Sequence, residues 1–520
     1  MAHRTRAFRF IVAGLTAALV LLGVAEAFSA FFSAASAPLV AIGGAFIDII
    51  PPWVKDAAIA LFGLYDKIAL FATMALAVAA LAAGIGLLAR RHRGAALAAV
   101  VLLGAVVGAV VISRSGTTPV DVIPILAGTA AGVAVLAWLA RLAGAADDPA
   151  AADPVPSDTA PNAPDRRRFL RAVGLSAVAG AGLIVAGRAV AGIRHGVDAA
   201  REALNLPSAA RKAPPLPAGV QAPVDGMPPF TTPNGEFYRI DTALAVPRVN
   251  PADWRLRITG LVEREIEMSF DELLAEDLVE ADVTLTCVSN PVGGDLAGNA
   301  RWLGVPVRRL LERAGVDPSA DMVLSRSVDG FTAGTPLSAL TDERNSLLAV
   351  GMNGEPLPEI HGFPVRMVVP GLYGYVSATK WLEELKVTRF ADDNAYWTDR
   401  GWSAEGPIKL ASRVDVPRSF ANVPAGQVMI GGTAWAQQRG ISRVEVSIDG
   451  GEWQPAELAA DANEDTWRQW SFAWEGATPG RHEVSVRATD GDGVLQTSDR
   501  ADPVPNGASG WHRIQFTVEG

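Results

Sequence analysis

The sequence predicts a multidomain protein with an N-terminal all-α transmembrane bundle, a central α+β domain and a C-terminal immunoglobulin-like β-sandwich. Long apolar stretches are confined to the N-terminal part of the chain, whereas helix and strand patterns alternate in the middle and short strands fill the end. The 520 residues are 50% hydrophobic, with a mean hydropathy of +0.23. A chain of this length is therefore too apolar to be an ordinary soluble protein.

Four apolar stretches have the length of membrane-spanning helices. They cover residues 9–30, 68–89, 95–112 and 120–142 and consist mainly of Ala, Leu, Val and Gly. Arginines precede the first stretch, join the second to the third and follow the fourth, whereas the other connections carry few basic residues. The positive-inside rule therefore predicts a four-helix transmembrane region over residues 1–142 with a cytoplasmic N-terminus.

Residues 143–165 are dominated by Ala, Pro and Asp, and this composition predicts a disordered linker. Residues 166–195 begin with three arginines followed by Phe169, Leu170 and Arg171, and then become apolar. This pattern is typical of a membrane anchor and also resembles the twin-arginine export signal, here in an internal position. Because that signal exports folded cargo, we expect the rest of the chain to lie outside the cytoplasm, at a bacterial cell membrane, with any cofactor loaded before export.

A Pro-rich connector at residues 196–229 precedes a central domain at residues 230–405. Residues 254–258 alternate as a strand, residues 269–274 begin with a capping box, and residues 308–314 have one apolar helix face. The mixture of these patterns favours an α+β domain.

From residue 406 to residue 520 the sequence contains short strands separated by turn residues. Asp449-Gly450-Gly451 and the segment 490–493 supply turn signals, and helical periods are missing from the sequence here. The spacing predicts an immunoglobulin-like sandwich, a module that commonly binds or dimerises. We therefore expect a homodimer formed through this domain.

Cys287 is the single cysteine of the chain, and it follows a strand pattern at residues 283–286 and precedes a Gly-rich loop. One thiol cannot form an internal disulfide, so it is either an inert core side chain, a nucleophile or a metal ligand. Free cysteines are most often core residues. In an exported domain a lone thiol is exposed to oxidation, from which burial or a bound metal would protect it.

Three further segments carry donors suited to phosphate or pterin oxygens. Residues 361–366 and 374–381 combine glycines with Arg, Lys, Ser or Thr, and residues 237–241, which include Arg239, follow a Pro-Asn-Gly turn. Together with their neighbours they resemble the sulfite oxidase family of molybdenum enzymes over about residues 230–410, and the C-terminal domain resembles that family's dimerisation domain. The segments that carry the resemblance are residues 254–260, 284–290, 353–358, 361–371, 380–382, 434–435, 446–451 and 511–513.

The resemblance implies a sulfite-oxidase-type molybdopterin domain with a molybdenum–molybdopterin cofactor, in which Cys287 is the protein's thiolate ligand to molybdenum. It also implies a set of molybdopterin-binding side chains: Tyr238, Arg239, His361, Arg366, Ser377, Thr379 and Lys380. One extra residue before Lys380 leaves open which of Ser377, Ala378 and Thr379 makes a contact. The implied activity is oxygen-atom transfer on a small sulfur-containing substrate.

The sequence departs from the family around the substrate. The family places arginines just after the metal cysteine and in the sandwich domain, whereas residues 288–295 carry no cation and residues 503–507 carry no arginine. The family's tyrosine beside the metal corresponds to Trp402, which can stack and donate one N–H but cannot act as a phenol acid. Arg400 is the nearby cation, and we assign Cys287, Arg400 and Trp402 to the catalytic site. Both sulfite oxidation and reduction of a neutral or larger sulfoxide remain open.

Charge and histidine content limit the partners. The net charge of −10 argues against nucleic acid. The six histidines lie outside the predicted spans, and a single cysteine excludes a c-type haem motif, so we expect the helices to anchor the chain without haem. Electrons would then pass to an external cytochrome or quinone system. A membrane-anchored binding module with a decayed cofactor site is the remaining hypothesis.

Overall fold

The structure, a computed structural model, describes residues 2–32, 36–50, 54, 61, 66–114, 117–145, 163–195 and 197–520. The chain divides into two compact units. The first comprises Met1–Gly196 with Ala243–Pro247, and the second comprises Val197–Thr242 with Arg248–Gly520. Most of the predicted linker at residues 143–165 lies outside the described residues, so its disorder stays a prediction.

The first unit is built from helices. They are α1 (Ala2–Ser29), α2 (Pro38–Ile49), α3 (Asp66–Arg91), α4 (Arg93–Ile112), α5 (Ile123–Ala145) and α6 (Ala163–His195). Within the described residues, five helical stretches are long and apolar enough to cross a membrane: Arg6–Ser29, Ile68–Arg91, Arg93–Ile112, Pro119–Gly144 and Arg167–Val190. Four coincide with the four predicted spans and the fifth with the predicted signal-anchor segment. These helices are compatible with membrane anchoring.

Helices α1 and α6 approach each other closely within the first unit. A Cβ atom placed on Gly23 would lie 2.3 Å from the carbonyl oxygen of Gly180, so only glycine fits at this crossing. An ion pair of 3.5 Å between Glu26 and Arg188 also joins the two helices. Arg188, the charge that interrupts the apolar part of α6, therefore has a partner on α1.

The second unit begins with α7 (Val197–Ala203), and its central part contains two sheets. The strands are β1 (Arg255–Gly260), β2 (Ile266–Ser269), β3 (Val279–Thr286), β4 (Ala297–Pro306), β5 (Met322–Ser327), β6 (Thr332–Pro336), β7 (Leu347–Met352), β8 (Glu355–Pro356), β9 (Arg366–Val368) and β10 (Leu382–Thr388). One sheet has the order β2-β1-β10-β5-β6, and the other has the order β3-β4-β7-β8 with β9 paired to β7. The helices between them are α8 (Phe270–Leu274), α9 (Val307–Ala314), α10 (Ser338–Thr341) and α11 (Gly374–Ser377). The predicted α+β domain is confirmed.

Local sequence explains where two of these helices form. The hydroxyl of Ser269 accepts from the backbone N–H of Glu272, and the Glu272 carboxylate accepts from the backbone N–H of Ser269, which is the predicted capping box at the start of α8. In α9 the predicted apolar face is buried and consists of Val307, Leu310, Leu311 and Ala314. Both helices thus pack against the core that supports the site.

The last part of the second unit, residues 411–520, forms two further sheets and is called the C-terminal β region below. Its strands are β11 (Ala411–Val416), β12 (Asn422–Pro424), β13 (Gly426–Trp435), β14 (Ile441–Ile448), β15 (Gln454–Pro455), β16 (Glu457–Leu458), β17 (Arg468–Ala477), β18 (Gly480–Asp490) and β19 (His512–Glu519). The sheet orders are β11-β13-β17-β16 and β12-β19-β18-β14-β15. Both sheets contribute to one apolar core, which includes Ile430 and Trp470 from the first and Val484 and Phe516 from the second. The predicted short strands of this region are therefore present.

Candidate active site

Cys287 lies at the end of β3, in the hairpin that joins β3 to β4. The backbone N–H of Cys287 donates to the carbonyl oxygen of Leu296 at 2.9 Å, and the carbonyl of Cys287 accepts from the N–H of Asn290 at 3.1 Å. The side-chain oxygen of Asn290 in turn accepts from the N–H of Leu296 at 3.0 Å. Both sides of the cysteine are thus tied to the same short loop, and the sulfur position follows the position of this hairpin.

Cys287 is 8% exposed and lines a cavity of about 110 Å³ in the second unit. Burial raises the pKa of its thiol, while hydrogen bonds from the backbone and hydroxyl of Ser289 oppose this effect. Without a bound cation the sulfur is therefore a protonated thiol at neutral pH. Ser289 also lines the cavity, so two donors lie next to the sulfur.

Three basic side chains, His361, Arg366 and Lys380, line the same cavity among the residues described in the second unit. Each is held by backbone carbonyls. Arg366 donates from Nη1 to the carbonyl of His361 at 3.1 Å and lies over the ring of Trp302, 5.0 Å from its centroid. Lys380 donates from Nζ to the carbonyl of Ile360 at 3.3 Å. The cavity that contains the sulfur therefore also has basic groups at fixed positions.

Burial shifts the pKa of all three groups toward the uncharged form. Burial, together with the positive charges of Arg366 and Lys380, lowers the pKa of His361 to about 4. It lowers the pKa of Arg366 to about 10 and that of Lys380 to about 8. At neutral pH the cavity therefore contains a neutral imidazole beside two cations. Since His361 Nε2 lies 2.9 Å from the carbonyl oxygen of Asn234, which can only accept, Nε2 carries the proton.

A glycine allows two of the cations to come together. Gly362 adopts φ +110°, a conformation that favours glycine, and a Cβ there would lie 3.0 Å from Cβ of Lys380 and 3.1 Å from Cβ of Arg366. Any larger residue would strain the backbone and crowd both side chains. The need for glycine at position 362 of the predicted His-Gly-Phe-Pro segment is therefore explained by its backbone conformation and its close neighbours.

Asp241 is a site residue that the sequence analysis did not single out. Its carboxylate accepts from Lys380 Nζ at 2.7 Å and from Arg239 Nε at 2.8 Å, and its side chain is 4% exposed. Asp241 therefore holds two of the predicted cofactor-binding cations in one network. In the sequence, Asp241 is only an acidic residue within a segment of hydrogen-bond donors. That position does not reveal that its partner is Lys380, more than 100 residues away.

Aromatic side chains form much of the remaining cavity wall. Tyr238 stacks on Phe237 with ring centroids 5.3 Å apart, and burial raises the pKa of its phenol, as does the nearby Cys287. On another part of the wall, Trp402 lies 5.9 Å from Tyr375 and 6.3 Å from Trp397 between ring centroids. Trp402 therefore belongs to a cluster of aromatic side chains, which fits the stacking role predicted for it.

The structure brings together Cys287, Tyr238, His361, Arg366, Lys380 and Trp402 from the predicted set. The remaining predicted residues lie apart from the cavity lining. The Ser377 hydroxyl donates to the carbonyl of Tyr373 at 2.9 Å, and the Thr379 hydroxyl bonds to that of Ser325 at 2.7 Å. Arg239 is linked to the cavity through its ion pair with Asp241, which lines it. Arg400 donates from Nη1 to the carbonyl of Tyr396 at 2.7 Å and stacks over that ring at 3.6 Å. The binding roles of Arg239, Ser377 and Thr379 and the catalytic role of Arg400 remain predictions.

Comparison with known proteins identifies the class. A family described as "Oxidoreductase molybdopterin binding domain" matches residues 243–397. Sulfite oxidase from Gallus gallus is 31% identical over 360 residues, which cover 58% of this chain and 77% of that protein. Mitochondrial sulfite oxidase from Macaca fascicularis is 30% identical over 366 residues, which cover 59% of this chain and 66% of that protein. The sulfane dehydrogenase SoxCD from Paracoccus pantotrophus has a solved structure with 23% identity and a TM-score of 0.49, over 56% of this chain and 84% of that chain.

Together with fold and site, the family match defines a protein with an oxidoreductase-type molybdopterin-binding domain. The chain belongs to the sulfite oxidase family, as the resemblance in the sequence indicated. Membership implies a molybdenum–molybdopterin cofactor. The chain spans 66% of the length of the mitochondrial relative.

The residues around the cavity fit such a cofactor by their chemistry. A thiol is the soft ligand that suits molybdenum with pterin sulfurs, and coordination would replace its proton. Two cations suit the anionic phosphate and the acceptor atoms of a pterin, and the free Nδ1 of the neutral imidazole suits a donor atom. Cys287 directly follows β3, His361 precedes β9, Arg366 begins β9, and Lys380 lies between α11 and β10, so several elements would hold the cofactor.

Proposed function

We propose that this chain is a membrane-anchored, molybdenum cofactor-dependent oxidoreductase that transfers an oxygen atom to or from a sulfur compound, with sulfite oxidation as the first candidate reaction. The observation that supports this most strongly is the single cavity shared by Cys287, His361, Arg366 and Lys380. A decayed cofactor site, as expected of a binding module, would not keep the thiol and three buried basic groups together.

Cys287 would be the protein's ligand to the metal. Its buried thiol has a raised pKa, and a bound metal cation would stabilise the thiolate that desolvation disfavours. The Ser289 amide and hydroxyl would orient the sulfur. When bound, the cofactor supplies oxygen-atom transfer coupled to a two-electron redox change.

The basic residues and the aromatic residues would have separate roles. Lys380 and Arg366, charged at neutral pH, would bind the negative groups of the cofactor. His361 would be neutral at neutral pH, because its pKa is about 4. Its Nε2–H donates to the Asn234 carbonyl, so Nδ1 would act only as a hydrogen-bond acceptor. Tyr238, Arg239, Ser377 and Thr379 are further proposed cofactor contacts. Trp402, with Arg400 nearby in sequence, would orient the substrate.

We also propose the remaining organisation from sequence and helix length. The five apolar helices would form a membrane-anchoring bundle in a bacterial cell membrane, with residues 166–195 as a twin-arginine-like signal and the second unit outside the cytoplasm. The shared core of two sheets supports an immunoglobulin-like sandwich in the C-terminal β region, with homodimer formation as its proposed role. Electrons would be exchanged with an external cytochrome or quinone system.

Reduction of an organic sulfoxide is the second candidate reaction, and the composition of the cavity wall favours it. Phe331, Tyr375, Trp397 and Trp402 line the cavity, and so does the carboxylate of Asp329. Aromatic rings favour an organic group, and a carboxylate disfavours an anion such as sulfite. The basic groups of the lining are those proposed for the cofactor, which leaves a neutral substrate better matched to the wall.

Molybdenum analysis tests the enzyme and its ligand. The full chain, purified from a host that makes the molybdenum cofactor, should contain about one molybdenum per chain by mass spectrometry. Cys287→Ser should lose the metal, whereas Val292→Ala in the same loop should retain it. Equal molybdenum in Cys287→Ser and the unaltered chain would contradict the ligand assignment.

Turnover assays separate the two reactions. Molybdenum-loaded chain is assayed with sulfite and an artificial electron acceptor, and with methyl sulfoxides and an artificial electron donor. Sulfite turnover alone supports the first candidate, and sulfoxide turnover alone supports the second. A fully loaded chain that turns over neither compound would refute the proposed reaction class.

A further inference from the structure

The C-terminal β region contacts the strand that leads to Cys287. β3 is the edge strand of its sheet, and Thr284 lies three residues before the cysteine. The backbone N–H of Thr284 donates to the carbonyl of Asp465 at 3.0 Å, and its carbonyl accepts from Gln437 Nε2 at 2.9 Å. Its hydroxyl accepts from the backbone N–H of Trp467 at 2.8 Å. The donor, acceptor and hydroxyl of this one residue are therefore all bound by the C-terminal β region.

The same region also contacts the loop that follows Cys287. Arg413, which is 6% exposed, donates from Nη1 to the carbonyl of Gly294 at 2.9 Å. The ring of His512 packs against Gly293, where an added Cβ would lie 2.1 Å from the imidazole. His512 is itself fixed, because its Nδ1 accepts from the backbone N–H of Val414 at 3.0 Å. The loop therefore lies against a rigid surface.

Arg413 is held in place by its own partners. Its Nε donates to the Asp415 carboxylate at 2.8 Å, and its guanidinium lies between 5 and 6 Å from the ring centroids of Trp435 and Trp467. Asp415 also accepts from the Thr433 hydroxyl at 3.0 Å. A buried arginine held by an ion pair can fix a backbone carbonyl more rigidly than an exposed one, since it has few other rotamers available.

We propose that the C-terminal β region positions the Cys287 sulfur, with Gln437 before the cysteine and Arg413 and His512 after it as positioning residues. Both sides of the Cys287 hairpin are bound by this region, whereas Cys287 itself bonds within its own loop. The role exceeds dimer formation: a ligating sulfur must be held to within about 0.5 Å, and this region supplies the constraint. The sulfur's role as a metal ligand rests on the proposed function, but its positioning is measurable without the cofactor.

The single cysteine makes the test specific. In cofactor-free full chain, the alkylation rate of Cys287 by iodoacetamide, followed by mass spectrometry, reports how often the hairpin opens. Gln437→Met removes the donor to Thr284 at nearly constant volume, and loss of one hydrogen bond should raise the rate about fivefold. Gln469→Met is the matched control, because Gln469 is a buried glutamine of the same region that bonds to Ala222 and Pro228, away from β3. Its rate should stay within about twofold of the unaltered chain.

A second variant avoids dependence on one side chain. Arg413→Met combined with Asp415→Asn removes the charged pair together, so no buried charge is left unpaired. This double variant should also accelerate alkylation of Cys287 by at least about fivefold. Unchanged rates in both Gln437→Met and the double variant, or equal acceleration in Gln469→Met, would overturn the positioning role.

The loaded enzyme provides a spectroscopic readout. The electron paramagnetic resonance spectrum of molybdenum-loaded, partly reduced chain should shift in Gln437→Met and stay unchanged in Gln469→Met. An unshifted spectrum in a molybdenum-loaded Gln437→Met sample would overturn the claim that this positioning of the sulfur affects the bound metal. If the chain binds no molybdenum, the proposed function fails, while the alkylation rates still decide whether the C-terminal β region positions the sulfur.

Discussion

Replacing Asp241 with Asn should destabilise the second unit, because it leaves the buried Lys380 without its carboxylate. The side chains of Asp241 and Lys380 are 4% and 10% exposed, and the two are joined at 2.7 Å. Even with Asp241 present, burial lowers the pKa of Lys380 from 10.5 to about 8, a shift that corresponds to about 3 kcal/mol. Removing one member of a buried pair costs about 3–5 kcal/mol. We expect a loss of about 3 kcal/mol at pH 6.5, or roughly 6 °C in melting temperature.

The loss should depend on pH in a defined direction. Below pH 8 folded Lys380 is charged, and Asp241→Asn then leaves an unpaired cation. As pH rises through about 8, the folded lysine releases its proton, so the carboxylate no longer contributes and the loss shrinks. Unfolded lysine still holds its proton up to its ordinary pKa of 10.5.

Thermal unfolding of the cofactor-free full chain in detergent, followed by tryptophan fluorescence, measures this loss at pH 6.5 and pH 9. Most of the tryptophans lie in the second unit, so the signal reports on it. Asp392→Asn is the control, because its ion pair with Arg389 is exposed and contributes little. A loss that is equal at both pH values, or no larger than that of the control, would refute the reasoning.

Three further outcomes are expected. Since burial lowers the pKa of His361 from 6.5 to about 4, the unfolded state binds more protons between these values, so stability falls as pH drops through this range. His361→Gln should make the fall in melting temperature between pH 7 and pH 4.5 shallower, and an unchanged slope would contradict the shift. Gly304→Ala should lower the melting temperature by several degrees, because its Cβ would lie 2.3 Å from the carbonyl oxygen of Leu348, whereas Gly235→Ala, which meets open space, should have no effect. Trp402→Ala should reduce kcat/KM for the preferred sulfur substrate about tenfold through loss of the aromatic contact, and an unchanged kcat/KM would remove Trp402 from the site.

Local patterns in the sequence predicted the elements well. The apolar stretch at residues 9–30 corresponds to the helical stretch Arg6–Ser29, and residues 269–274 contain the capping box that begins α8. Hydropathy and capping depend on residues within one contiguous stretch of chain, so a single sequence contains the information. The strand before Cys287 was predictable for the same reason.

Side-chain destinations were less predictable. Ser377 and Thr379 are donors in a glycine-containing segment, yet their hydroxyls bond to the Tyr373 carbonyl and to the Ser325 hydroxyl. Arg400 folds over Tyr396. Two of these partners are only four residues away, yet each side chain has several acceptors within reach, and packing decides which one it bonds to.

The sequence by itself determined the order of the elements, the thiol and the basic residues of the site, and the family to which the chain belongs. Only the tertiary structure decided that Asp241 joins Arg239 to Lys380 and that Gln437 and Arg413 hold the two sides of the Cys287 hairpin. The contacts of Lys380, Gln437 and Arg413 connect residues more than 100 positions apart, and their partners are selected by chain packing. A periodic pattern reports which face of an element is buried, but it carries no record of what lies against that face.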